Sequence, residues 1–268
     1  MPQRKDSVKS FELPKVSILS KSEKISLMFY ELKKTKLDRI LVKDKETLIG
    51  VVTLRDVFMK LASKKFSNIS PTSLSVAAFT SERFVYISQD MTLSDAISIM
   101  SKEDVSALPV IGLNGKVQGL LTKNMLINLL SKELHGRVED FLVRGGYRIP
   151  AGAGLSTVIN EILRDKDMRE FVVIQNTSPI GVVGEKELAT FLFNYLSEDT
   201  VHHMRSALQK FVTNDIMVLI TEKLSPQDPV QRAATLLSNT NLVIYPVTKG
   251  EHLLGVIRRR ELFNQLVT

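Results

Sequence analysis

The sequence predicts an α+β protein made of four copies of one β-α-β-β-α unit, paired side by side into two pseudo-twofold modules. Three observations carry this expectation. A glycine followed by two apolar residues recurs at "GVVTLRDV" (Gly50), "GLLTKNML" (Gly119), "GVVGEKEL" (Gly181) and "GVIRRREL" (Gly255), at steps of 69, 62 and 74 residues. Such uneven steps describe a common unit joined by linkers of different length. Each glycine is preceded, 25 or 26 residues upstream, by the start of an amphipathic i, i+3, i+4, i+7 pattern, one face of a helix. Finally, a unit of about 50 to 60 residues has a sheet face it cannot cover alone, so a neighbour must cover it.

The elements follow in order within each unit. The helix stripes are Ile25, Met28, Phe29 and Leu32; Leu93, Ala96, Ile97 and Met100; Leu155, Val158, Ile159 and Ile162; and Val230, Ala233, Ala234 and Leu237. The strand-like runs "DRILV", "SALPVI", "EFVVI" and "LVIYPV" lie between helix and glycine, and a turn such as "LNGK" (113–116) leads to the strand carrying the glycine. A second helical stretch follows, as in "DVFMKLAS" and "KELATFLFNYL", and an extended piece such as "FVYIS" (84–88) precedes the first helix. Asp228-Pro229-Val230 reads as an N-cap with proline at the first helical position. The expected organisation is a tail over 1–12, repeats over 13–66 and 78–132, a linker over 133–146, and repeats over 147–198 and 211–268. With the chain used up by repeats and links, no effector domain is expected in it.

Composition sets the function classes. Hydrophobic residues make up 44 % of the 268, enough for a substantial core. Cysteine is absent, which removes disulfides, thiolate metal sites and cysteine nucleophiles, and fits a cytoplasmic setting. No apolar run approaches the roughly 18 to 20 residues of a membrane span. The formal net charge of +7 favours anionic partners, nucleotide or nucleic acid. His135, His202 and His203 lack further ligands at metal-binding spacing, so no metal is expected. "PAGAGLS" (150–156) lacks the lysine of a phosphate loop and reads as a turn. No nucleophile–base arrangement is evident, so a non-enzymatic role is expected.

The fourfold unit, the "G-h-h-T-x-x-D" ending of the first copy (h, apolar) and the "VSALPV" strand (105–110) of the second resemble CBS domains. Four of them in tandem, as two Bateman modules, would span roughly residues 13 to 267. The resemblance implies clefts between paired domains that take AMP, ADP, ATP or S-adenosylmethionine. It makes Asp56 the acceptor of both ribose hydroxyls and Thr53 a hydroxyl at the turn. A two-oxygen carboxylate suits a vicinal diol. By the same analogy adenine would lie against Ile18 and Ile40 in the first copy, or Tyr86, Ser106 and Ala107 in the second.

The other copies depart from this pattern. The second keeps Thr122 but has Met125 for the aspartate, leaving Lys123 to reach a phosphate. The third has Gly184 and Glu187 at the two positions, and the fourth has Arg258 and Glu261. Glu187, Arg258, Arg259, Arg260 and Glu261 therefore form a secondary anion-site candidate. The hydroxyl that many relatives carry in the strand before the first helix is replaced by Ile18, Tyr86, Arg148 and Lys223. The reading that follows is a regulatory adenine-nucleotide sensor, a homodimer as in relatives, that acts on a regulated protein. Two alternatives stay open: a nucleic-acid-binding protein on the same scaffold, and an assembly module with vestigial clefts.

Overall fold

The structure, a computed structural model, describes residues 2–62, 73–81, 84–165, 167–198, 208 and 210–267. The order β-α-β-β-α runs four times along it. The first unit comprises β1 (Ile18–Ser20), α1 (Ile25–Thr35), β2 (Arg39–Asp44), β3 (Thr47–Thr53) and α2 (Leu54–Leu61). The second comprises β4 (Ile87–Ser88), α3 (Leu93–Lys102), β5 (Ala107–Ile111), β6 (Val117–Thr122) and α4 (Lys123–Leu129). The third comprises β7 (Arg148–Pro150), α5 (Leu155–Arg164), β8 (Glu170–Gln175), β9 (Ser178–Gly184) and α6 (Glu185–Glu198). After α7 (Thr213–Ile216) and β10 (Val218–Leu219), the fourth has α8 (Val230–Thr240), β11 (Ile244–Lys249), β12 (His252–Arg258) and α9 (Arg259–Val267). Its opening strand is reduced to one parallel bridge, Leu224 to Val247.

The helix stripes become the buried faces of α1, α3, α5 and α8, all with their first four apolar positions inside. Fully burying one such Leu, Ile or Phe contributes roughly 1.5–3 kcal/mol. The start of α8 differs from expectation by one residue. Pro229 is the N-cap, and the Asp228 carboxylate accepts from Ser225 N at 2.7 Å and from the Arg232 side chain at 3.1 Å, with no side-chain cap on the helix backbone. A proline φ of −65° suits either position, so the dipeptide marks the boundary but not the capping atom.

The four hairpins share one register at the motif glycine, although the second has a five-residue turn and the others two-residue turns. Each motif glycine pairs with a valine of the preceding strand: Gly50 with Val42, Gly119 with Val110, Gly181 with Val173 and Gly255 with Val247. The register shifts directly after that valine in all four. Such a bulge bends the strand and strengthens its twist at a fixed place.

Between units the chain crosses over reciprocally. Residues 4–9, expected as a tail, bond to the second unit: Val8 N to Met91 O at 2.8 Å and Leu93 N to Asp6 O at 3.0 Å. Val8 is fully buried there. Residues 74–81 bond back to the first unit, with Ile25 N to Leu74 O at 3.0 Å and Val76 N to Glu23 O at 2.7 Å. Residues 137–143 run along the fourth unit, Val143 bridging Val256, and residues 211–220 run along the third, with β10 added to β9. Units one and two thus exchange lead-in segments, and so do units three and four.

Helices make the remaining contacts across these pairs. One core joins the first and third units and contains Phe58, Phe79, Phe171 and Leu188; the other joins the second and fourth and contains Met100, Leu126, Tyr245 and Phe263. Phe29 of α1 stacks on Phe193 of α6 with ring centres 3.7 Å apart. Among the described residues no helix is long and apolar enough to cross a membrane.

Candidate functional site

The Thr-x-x-Asp of the first unit opens α2. Thr53 is the N-cap, and its Oγ1 accepts from Asp56 N at 3.2 Å. Asp56 Oδ2 accepts from Thr53 N at 2.8 Å and from Thr53 Oγ1 at 2.7 Å. This reciprocal capping box satisfies two helix-end donors. Both bonds to the carboxylate fall on Oδ2, and Thr53 and Asp56 are half-buried. A carboxylate has about four lone-pair directions, so the box leaves acceptor capacity for a diol.

The same two positions are filled differently elsewhere. Thr122 caps α4 by accepting from Met125 N at 3.1 Å, with no carboxylate opposite. In the third unit Glu187 Oε2 accepts from Gly184 N at 3.0 Å. Burial, reinforced by the nearby Glu170 carboxylate, pushes Glu187 up to about 7. In the fourth, the Arg258 guanidinium takes up both oxygens of Glu261 and donates to Tyr147 Oη at 2.9 Å. Arg259 turns inward to Leu242 O, its Nε buried without a partner, while Arg260 is exposed. The "RRR" run is therefore no continuous outward charge.

The remaining expected residues scatter. Ile18 and Tyr86 are exposed, 39 % and 57 %, and Tyr86 packs on Phe84 at 5.6 Å between ring centres. Ile40 is fully buried in the core shared with the third unit, so its side chain offers no surface to a ligand in this arrangement. Ala107 is buried and Ser106 exposed. The Lys123 ammonium lies 4.5 Å from the centre of the Phe263 ring, and burial lowers its pKa. Gly152 N donates to Asn214 Oδ1, which makes "PAGAGLS" a tied turn. His202 and His203 lie outside the described residues; among those described there is no group of three or more potential metal ligands.

A charged cluster that sequence reading missed joins these helix starts. The carbonyl of the residue before the first strand-pair position accepts from the first N–H of the following helix in all four units: Asp38, Ser106, Arg169 and Val243. Asp38 and Arg39 form a two-bond ion pair, and Arg39 Nη2 reaches Ser106 Oγ of the second unit at 3.1 Å. Burial pushes the Asp38 carboxyl up, but Arg39, with Lys186 and Arg259, outweighs it and holds the group well below the usual carboxylate range. Asp56 adds to the field that keeps Arg39 charged. In the third unit the order is reversed to Arg169-Glu170. Glu170, 2 % exposed, accepts from Val243 N and Ile244 N of the fourth unit at 2.7 and 3.0 Å. Glu185 accepts from Arg169 Nε at 3.0 Å and from Arg55 of the first unit. The one available signal was this reversed charge pair ahead of two otherwise equivalent apolar strands.

Comparison with known proteins bears on the whole arrangement. The structure superposes on that of protein MJ1225 from Methanocaldococcus jannaschii, described as a proposed archaeal homologue of γ-AMPK, with a TM-score of 0.77 at 15 % identity over 94 % of this chain and 96 % of that one. An uncharacterised conserved protein from Pyrococcus horikoshii superposes with a TM-score of 0.55 at 19 % identity, covering 86 % and 91 %. In sequence, uncharacterised protein MK0525 of Methanopyrus kandleri is 25 % identical over 104 residues, 39 % of this chain and 47 % of that relative, about half its length. The CBS-domain family matches residues 9–63, 76–132 and 212–268, more than half of the chain, and the unmatched stretch between them holds a unit of the same element order. The chain belongs to the CBS-domain family.

Proposed function

We propose that the protein is a non-catalytic regulatory module that binds an adenine nucleotide (AMP, ADP or ATP, with S-adenosylmethionine as a further candidate) in the cleft between its first two repeats. The repeats over 13–66 and 78–132 form that module, and those over 147–198 and 211–268 form a second. The observation that carries this reading is the half-buried Asp56 carboxylate, placed at a helix start beside Arg39, whose guanidinium crosses to Ser106 of the neighbouring repeat. Ribose hydroxyls donate to Asp56, and Thr53 lines the turn. The second module is the weaker binder, because Arg258 already saturates Glu261 and burial pushes Glu187 up to about 7, which favours its protonated form as an acceptor of fewer hydroxyls.

Ligand acts by preferring one arrangement of the modules over another, which a regulated protein or a second copy of the chain then reads. Calorimetric titration of AMP, ATP and S-adenosylmethionine into the protein and into Asp56→Ala tests this. One site per chain, lost in a variant that still melts cooperatively, is the expected result. No heat and no thermal stabilisation with any of the three ligands would sink the reading.

A further inference from the structure

The positive charge of this protein is concentrated in one place. Residues 1–62 hold 14 lysines and arginines against 8 acids, while the other 206 residues hold 22 against 21. Within the first unit, the end of α1 and its cap carry three lysines, Lys33, Lys34 and Lys36, and the one acid of that helix, Glu31, accepts from Ser17 Oγ at 2.6 Å. The buried stripe of α1 is Ile25, Met28, Phe29 and Leu32. At about 100° per residue, Ser26, Tyr30, Lys33 and Lys34 then line up together on an outward stripe. All four are exposed, Tyr30 at 64 %, and Lys36 at the helix end is exposed as well. Lys33, Lys34 and Lys36 enter none of the ion pairs among the described residues.

The equivalent helices have nothing comparable. After α3 the chain continues with Glu103 and Asp104, after α5 with Asp165, Lys166 and Asp167, and α8 ends in uncharged Asn239, Thr240 and Asn241. A favourable helix dipole explains one lysine in a last turn, but three neighbouring ammonium groups repel one another. Three unpaired cations beside an exposed aromatic ring are the pairing that phosphates and an unstacked base require. Lysine serves phosphate as a point charge, and the exposed Tyr30 ring beside it is what a nucleic-acid base uses and a carboxylate partner does not.

We propose that this face of α1 is a docking surface for single-stranded nucleic acid, with Lys33, Lys34 and Lys36 on phosphates and Tyr30 stacked on a base. It is independent of Asp56 and of the nucleotide cleft. The test is fluorescence anisotropy of a labelled single-stranded oligonucleotide with the full chain at salt concentrations between about 50 and 200 mM. Saturable binding is expected. The Lys33→Gln, Lys34→Gln, Lys36→Gln triple variant should weaken it and reduce the slope of log K against log salt by about 2. Tyr30→Ala should lower affinity for the single strand by on the order of fivefold or more and leave duplex binding unchanged. Asp56→Ala should leave all of this intact, and the triple variant should retain the parent's melting temperature and response to AMP. Absence of saturable binding, or an unchanged slope in the triple variant, would overturn the proposal. Competition by polyglutamate as strong as that by an oligonucleotide of equal charge would overturn it in favour of an acidic protein. Duplex bound as tightly as single strand, with Tyr30→Ala neutral, would overturn the single-strand assignment.

Discussion

Gly119 of β6 lies against Pro14: a Cβ placed on Gly119 would fall 2.9 Å from the Pro14 carbonyl oxygen and 2.5 Å from Leu13 Cβ. The same geometry recurs at Gly50 against Ser81 O at 2.7 Å, at Gly181 against Val218 O at 2.8 Å, and at Gly255 against Val143 O. In each case the contact is the lead-in segment of the partner unit crossing the strand. The four motif glycines have ordinary φ values, so closeness of backbones, not left-handed geometry, excludes a side chain. Gly119→Ala should therefore displace residues 13–14 and destabilise by about 1–3 kcal/mol, the usual range for overpacking. Differential scanning calorimetry reads the loss, and an unchanged melting temperature would show that the segment is free to move aside.

The Thr53–Asp56 box predicts a stability effect separable from ligand binding. Thr53→Ala removes the N-cap acceptor and should cost about 1 kcal/mol in urea unfolding. Asp56→Asn keeps an acceptor oxygen for Thr53 N, so it should cost less than Thr53→Ala. A larger loss in Asp56→Asn would mean that the carboxylate charge matters to Arg39 more than the cap does.

Glu187 gives a pH signature. Burial and Glu170 raise its folded pKa to about 7, so the folded state holds a proton that the unfolded chain has lost above the ordinary carboxylate value of 4.5. Stability from this group is complete below that value and falls as pH rises toward 7. Glu187→Gln, which retains an oxygen for Gly184 N, should raise the melting temperature at pH 8, leave it nearly unchanged at pH 4, and flatten the profile between. A variant profile parallel to that of the parent would assign the slope to other groups.

The stacked pair Phe29 and Phe193 ties the first unit to the third. Phe193→Ala should cost about 3–5 kcal/mol. Leu113→Ser, at a turn residue 85 % exposed, should leave stability within about 0.5 kcal/mol. Comparable losses in both would contradict the burial pattern.

How much was legible in the sequence follows from the range of each interaction. The periodic stripes of α1, α3, α5 and α8 and the recurring glycine are local patterns, and they determined the unit, its element order and the family. Thr53 and Asp56 were legible because a capping box spans only three residues. What the glycines are for, why Ile40 faces the core, and how Arg258 is consumed by Glu261 and Tyr147 depended on residues far away in the chain, 111 positions in the case of Arg258 and Tyr147. Residues 4–9 read as a polar tail because their partners, Gln89 to Ser94, lie one full unit downstream. The central charges escaped for the same reason: Asp38, Arg39, Arg169 and Glu170 are ordinary polar residues in a linear reading. Only when four strand starts converge do burial and opposed charge give them fixed partners. The sequence by itself determined what one unit is; tertiary structure alone decided which units exchange segments and which charges remain facing solvent, because both are set by packing between segments that the chain separates.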